Sequence, residues 1–363
     1  MLRRQTSRSL WQWTGVRVAV VLVAVLAAGC KPVARTGAGQ AVALAPPTRD
    51  ILLRVGACDK GDPFQSGKTA ARAARDQLGA APVKAVIVSE CYEDRDRKAG
   101  VLDGVHSVFP KAVVYGGATY GSFTQSGAWG GESVAVLAIA GRDIDVVAAC
   151  QPGMGAAGLT LTEHKTQLEK NLRAAGAALA KKLTRTDRSR LMIVIADAHS
   201  PKNGALVAGI RDVAGKGFTI TGGSVNKNAG QTFVYFRGRM LQDAAVALML
   251  SGDFRVAMAG RQAKENDKVI ATAEAAGAEA LAALTQQKCR PAAAIAFDCA
   301  GRKGRLKNVA DELAAIQKAL GRKMPLFGTY NAGEIGPADV AEKEQGVFSS
   351  GVGWHVMVTV LGW

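Results

Sequence analysis

The densest collection of groups able to bind or react lies in two segments near the C-terminal end of the chain. Asp298-Cys299-Ala300-Gly301-Arg302 follows the apolar run Ala294–Phe297, and Gly328-Thr329-Tyr330-Asn331-Ala332-Gly333-Glu334-Ile335-Gly336-Pro337 follows Pro325–Phe327. Between them they offer a guanidinium, two carboxylates, a phenol and an amide. Arg302 presents a planar fork that matches a carboxylate, and Glu334 could receive an ammonium, so the set suits a zwitterion or a small carboxylate. Asp298, Cys299, Tyr330, Asn331 and Gly333 would complete such a site. The competing arrangement is a plain ion pair between Arg302 and Glu334. Elsewhere Glu90 ends the apolar run Ala85–Val88, and His199 lies in the loop after Leu191–Ile195. Gly117, Gly223, Ser224 and Asn226 follow further short apolar runs, where glycine lets backbone N–H groups approach a ligand closely.

Other chemistries find little support. There is no GxSxG, and His106, His164, His199 and His355 stand in different local settings, so an enzyme would have to work through Glu90, His199 or Cys299. No CxxC or HxxxH spacing occurs, so no metal site and no cofactor are expected. The segment Gly61–Thr69 fails as a phosphate loop, because five residues separate Gly61 from Gly67 and one is Pro63, which has no N–H. It reads instead as a helix start capped by Ser66, with Lys68 in solvent. Glu93, Asp94 and Asp96 alternate with Arg95, Arg97 and Lys98, as in a solvated first helical turn.

The positioning elements recur along the chain. A buried strand, a polar loop, a helix and a second strand ending in glycine appear three times: Ala85–Val88, Arg95–Val108 and Ala112–Tyr115; Leu191–Ile195, Gly204–Val213 and Phe218–Ile220; Ala294–Phe297, Asn308–Leu320 and Pro325–Phe327. Extended segments close each copy at Ser133–Ile139, Thr232–Phe236 with Ala244–Leu250, and Val356–Leu361, and these are expected to add hairpin edges. Long helices at Thr162–Leu183 and Ala263–Gln287 join the copies, while Ile51–Gly56 and Ser66–Leu78 form a leading strand and helix. The predicted class is α/β: repeated strand-helix-strand units with added antiparallel hairpin strands, in two sub-domains spanning 50–252 and 253–363 and meeting at Ser251-Gly252-Asp253. Strand-end loops at the carboxyl edge of such sheets are where ligands bind.

Composition narrows the setting. The 363 residues carry 46 basic and 30 acidic side chains, a net charge of +16, and 48% hydrophobic residues, which excludes a disordered chain. Residues 1–29 read as an export signal: Arg3, Arg4, Arg8 and Arg17 precede the apolar Val18–Ala28, too short to span a bilayer, and the segment closes on Leu26-Ala27-Ala28-Gly29-Cys30. That ending resembles the lipobox of bacterial lipoproteins, which makes Cys30 the lipidated N-terminus and, with Lys31 after it, implies the periplasmic face of the outer membrane. Loss of the signal takes four of the sixteen charges and leaves +12, and nucleic acid is not an expected partner. Residues 30–49 are Ala-, Gly-, Pro- and Thr-rich and suit a flexible tether. Cys58, Cys91, Cys150, Cys289 and Cys299 remain; a Cys58–Cys91 bridge is one option, and the odd number leaves a thiol over.

With those residues in view, a family resemblance appears. AIAFDCAGR and PLFGTYNAGEIGP, within Ala294–Pro337, resemble the C-terminal part of FIST domains, and Leu191–Arg239, with TGGSVNKNAGQTFVYFRGR, is similar to their N-terminal part. The resemblance implies a sensory module that binds a small polar ligand such as an amino acid, with Cys299, Arg302, Tyr330, Gly333 and Glu334 in its characteristic loops. No output domain is recognisable in the chain, so binding would be passed to a partner protein. The alternative is an envelope scaffold that has lost its ligand and uses its basic faces for acidic partners.

Overall fold

The computed structural model describes residues 50–59, 61–228 and 231–363, so the expected export signal, Cys30 and the tether lie outside the described residues. The first repeat runs β1 (Leu52–Cys58), α1 (Pro63–Arg75), β2 (Val83–Glu90), α2 (Arg95–Val108), β3 (Val113–Ala118), the hairpin β4 (Ser122–Thr124) and β5 (Gly127–Trp129), then β6 (Val134–Ala140). The second runs β7 (Ile144–Pro152), α3 (Leu161–Lys181), β8 (Ser189–Ala196), α4 (Asn203–Ala214), β9 (Ile220–Ser224), β10 (Lys227–Asn228), β11 (Gln231–Thr232), β12 (Val234–Phe236), β13 (Arg239–Leu241) and β14 (Ala244–Gly252). The third runs β15 (Arg255–Gln262), α5 (Asn266–Gln286), β16 (Pro291–Cys299), α6 (Ala300–Lys303), α7 (Val309–Leu320), β17 (Leu326–Asn331), β18 (Glu334–Gly336), β19 (Ser350–Val352) and β20 (His355–Gly362). The fold is α/β, and Ser251–Asp253 falls at the joint between β14 and β15.

Each repeat builds one six-stranded sheet and lends a hairpin to another. The sheet orders are β1-β6-β2-β3-β12-β13, β7-β14-β8-β9-β18-β19 and β15-β20-β16-β17-β4-β5. In all three the second and third strands of a repeat run parallel across a helix crossover, and the closing strand inserts antiparallel between the first and second. Two expectations are corrected here. The closing segments are central strands: β6, Val-Ala-Val-Leu-Ala-Ile-Ala, is buried along its whole length, as a continuous apolar run must be when both faces are covered. Thr232–Phe236 does not pair with Ala244–Leu250 either, because β12 crosses to the first sheet and pairs with β3.

The inner faces of the three sheets meet in one core containing Leu53, Ile87, Leu137, Ile193, Leu248, Ile295 and Phe327. Helices cover the outer faces, α1 and α2 on the first sheet, α3 and α4 on the second, α5 and α7 on the third. Glycines let two of the helix pairs close together: a Cβ at Gly104 would lie far inside contact of Phe64 O, and one at Gly209 far inside contact of Arg173 O. A ring of backbone bonds ties the repeats about a pseudo-threefold axis. Tyr120 N donates to Tyr330 O (2.9 Å), Asn226 N to Ala118 O (2.9 Å) and Ala332 N to Ser224 O (3.0 Å). Ala118, Ser224 and Tyr330 are therefore equivalent, and so are the residues facing them across the parallel pairs, Glu90, Ala196 and Asp298.

Helix α1 starts one turn earlier than the sequence suggests. Asp62 is its cap, accepting from Gln65 N (3.1 Å) with Pro63 at the first helical position, while Ser66 is buried and accepts from the Tyr92 hydroxyl (3.0 Å). Among the described residues the cysteines form no disulfide, and Cys58 and Cys91 stand at the ends of β1 and β2, which β6 separates. Among the described residues no helix is long and apolar enough to cross a membrane.

Candidate functional site

The strand end of the third repeat, where the sequence concentrates its polar groups, is packed shut. Arg302, on the short α6, is wholly buried. Its Nε donates to Asp298 Oδ1 (2.9 Å), Nη2 to Glu312 Oε1 (2.8 Å) and to Val269 O (2.9 Å), and Nη1 to Thr272 Oγ1 (3.0 Å). Four of the five guanidinium hydrogens are thus spent inside the protein. Arg302 is not an open fork, nor does it pair with Glu334, whose Oε2 accepts from His355 N (3.0 Å). Burial pushes the Asp298 carboxyl up against the pull of Arg302, and burial together with Asp298 pushes Glu312 well above the glutamate range. With both groups ionised, Asp298 Oδ2 and Glu312 Oε2 would lack a donor. A proton on Glu312 supplies one toward Asp298 and leaves the triad neutral. The Tyr330 ring is buried in the same cluster, its hydroxyl against Glu312. Cys299 lies against the Glu334 carboxyl, and burial pushes its thiol up to about 12.

The first repeat is closed in the same way. Glu90, the equivalent of Asp298, is buried and accepts from Lys98 Nζ (3.1 Å), Tyr92 N (2.8 Å) and the Tyr235 hydroxyl carried in on β12. Around the axis, Gly117 abuts Val225, Gly223 abuts the Asn331 side chain, Asn226 Nδ2 donates to Tyr330 O (3.0 Å) and Ser224 Oγ to Ala198 O (2.7 Å). Gly333 lets the segment at Ser200 and Asn203 approach. The structure therefore gathers Gly117, Gly223, Ser224, Asn226, Tyr330 and Asn331 at one junction. The void among them, bordered by Ser89, Thr119 and Asn331, is about 10 Å³, at the threshold for a single water.

The second repeat breaks the pattern. Its strand-end position holds Ala196 in place of an acid, and beyond it a cleft of about 460 Å³ opens to solvent. His199 lines it, as do Asp197, Lys202, Thr232 and Asp243, together with the loop Ala156–Leu159. Asp197 Oδ2 accepts from Thr232 Oγ1 and from Asp243 N, both at 2.8 Å, which leaves Oδ1 as an acceptor for a ligand. Lys202 Nζ donates to Leu159 O (3.1 Å) and has two further hydrogens. Asp243 holds a left-handed backbone (φ 46°) and directs its carboxylate at Gly155 N (2.9 Å) and Ala156 N (3.0 Å).

Of the residues singled out from sequence, His199 lies in this cleft, whereas Glu90, Asp298, Cys299, Arg302, Tyr330 and Glu334 lie in the closed clusters. Asp197, Lys202, Thr232 and Asp243 carry no local pattern in the sequence that marks them as site residues. A readable signal existed in Gly153-x-Gly155-x-x-Gly158, between β7 and α3, with all three glycines at positive φ. That spacing resembles a dinucleotide phosphate loop. The Asp243 carboxylate already occupies the N–H groups that would face a phosphate, so the cleft instead offers carboxylate acceptors and an ammonium.

A family model described as FIST N domain matches residues 84–289, more than half of the chain and the whole of the cleft. The chain belongs to the FIST family. FIST domains are associated with sensory ligand binding. The match ends before the loops at 298–302 and 328–337. No curated protein matches this FIST chain at a significant level. Among solved structures it is similar to cyanuric acid hydrolase from A. caulinodans, at 12% identity and TM-score 0.43 over 85% of this chain and 99% of that one. A second cyanuric acid hydrolase gives 11% and 0.43 over 86% and 100%, and PurLQS from Thermotoga maritima gives 8% and 0.28 over 87% and 73%.

Proposed function

We propose that this FIST protein is a sensory binding module, lipid-anchored through Cys30 on the periplasmic face of the outer membrane, that captures a small polar ligand and signals through a partner protein. One observation carries the ligand site: of three equivalent strand ends, two are sealed by internal ion pairs and one opens into a polar cleft. The cleft sets acceptors on Asp197 and Asp243 beside donors on Lys202, which suits a molecule bearing both N–H groups and a carboxylate, an amino acid being the simplest. His199 borders the same space and adds an imidazole. The carboxyl-edge location agrees with the general preference of α/β sheets for binding outside their strand ends.

The test is a thermal-shift screen of amino acids and small carboxylates on the purified protein. A ligand at 100 times its Kd adds about 2.7 kcal/mol of stability. The response should vanish in Asp197→Asn and Lys202→Met while Arg302→Lys, though less stable, still responds. No stabilisation by any member of the screen, or a response indifferent to Asp197 and Lys202, defeats the proposal.

A further inference from the structure

Beside the polar cleft runs a second, apolar space. A trough of about 330 Å³ lies between α3 and α4, and Lys202 borders both cavities. Its floor is Leu168 and Leu172, both wholly buried, and Leu161, Pro201 and Ala205 form its sides. Besides Lys202, the charged groups on its border are Lys165 and Glu169, both exposed. The wall between the cavities is the turn Leu159–Leu161, where Leu159 faces the cleft and Leu161 the trough. This turn is set off from the rest of α3, because His164 has non-helical backbone angles (φ −129°, ψ 25°), and Gly158 precedes it at φ +73°. A polar cleft and an apolar trough that share Lys202 as a border set a place for a head beside a place for a tail.

Resting on the cleft reading above, we propose that the natural ligand is amphiphilic, an N-acylated amino acid whose head lies in the cleft and whose acyl chain lies along the trough. The carboxylate meets the spare hydrogens of Lys202, and the amide N–H donates to Asp197 Oδ1. The chain then passes Lys202 onto Leu168 and Leu172. At about 30 Å³ for a water-sized group, the trough has room for roughly eleven such groups, enough for a medium-length chain. A free amino acid fills the cleft and leaves the trough wet. A longer chain removes its own methylenes from water and lays them on the leucines of the floor, which are buried already.

The experiment is calorimetric titration of the full chain, kept free of detergent, with glycine, N-acetylglycine, N-hexanoylglycine and N-decanoylglycine, and with decanoate as a headless control. Burial of each methylene should strengthen binding about fourfold until the trough is full, so the hexanoyl compound, with four more methylenes, should bind roughly 250-fold more tightly than the acetyl one. Ala205→Trp, which places an indole in the trough, should flatten that dependence on chain length, and Asp197→Asn should weaken every acylglycine. The slope measured on the unaltered protein decides the matter even if Ala205→Trp fails to fold. Affinity independent of chain length, with glycine or N-acetylglycine still bound, overturns the acyl proposal and leaves the cleft reading intact. Decanoate binding as tightly as N-decanoylglycine overturns the proposed head, and no binding by any compound in the series removes both.

Discussion

Removal of Arg302 tests whether the third strand end is a site or a keystone. In Arg302→Ala the buried Asp298 loses its cation, Glu312 loses a donor, and Val269 O and Thr272 Oγ1 lose theirs. Breaking a buried ion pair on one side costs about 3–5 kcal/mol, because the remaining charge stays out of water. The hydrogen bonds that disappear belong to the same event and are not added to that figure. For a body of this size the loss should lower Tm by roughly 6–10 °C. Arg302→Lys should recover little, since a single ammonium cannot reach four acceptors on three elements. The cost should also depend on pH. With the guanidinium gone, Asp298 can escape by taking a proton, so the gap between the variant and the parent should be larger at pH 8 than at pH 5. Urea unfolding at both pH values, read by circular dichroism with m-values compared, gives the free energies. A loss under about 1 kcal/mol, accompanied by disappearance of the ligand response, would refute the reasoning and return Arg302 to the binding site.

Other outcomes follow from the same structure. The Glu312 carboxyl is raised on folding, so its contribution is complete below its ordinary value of 4.5 and is lost as pH rises toward its folded value; Glu312→Gln should therefore flatten the fall in stability above pH 4.5 seen in urea titrations. Burial holds the Cys91 thiol up at about 11 and Cys299 at about 12, so brief alkylation at pH 7 should spare both and modify them after unfolding, as read by mass spectrometry. Gly209→Ala should destabilise by about 1–3 kcal/mol, because its methyl meets the Arg173 carbonyl, whereas Gly277→Ala, whose Cβ would stand 3.0 Å from Ala319 Cβ, should cost less; paired thermal melts compare them.

Much of the fold was legible because its signals are local. Continuous apolar runs such as Leu191–Ile195 announce strands buried on both faces, and α2 begins and ends where its charges and spacing indicate. Register and partner choice were not local. Val234-Tyr235-Phe236 has the pattern of a strand whichever sheet it joins, and its pairing with β3 depends on contacts far away in sequence. The same limit applied to chemistry. Asp298, Arg302 and Glu334 have the composition of a binding site, but whether such groups face water or one another depends on what packs over them, and here α5 and α7 supply Thr272, Val269 and Glu312.

The sequence by itself determined that this is an α/β chain of repeated units, with polar loops at the ends of buried strands, because hydrophobic periodicity and glycine placement act over a few residues. Only the tertiary structure decided which strand end remains open. Glu90 and Asp298 each close their ends with a cation brought from the following helix, while Ala196, too small and apolar to recruit one, leaves Asp197, His199 and Lys202 facing the cleft. That outcome turns on whether a buried charge finds its partner within the fold, and burial is a property of the packed chain.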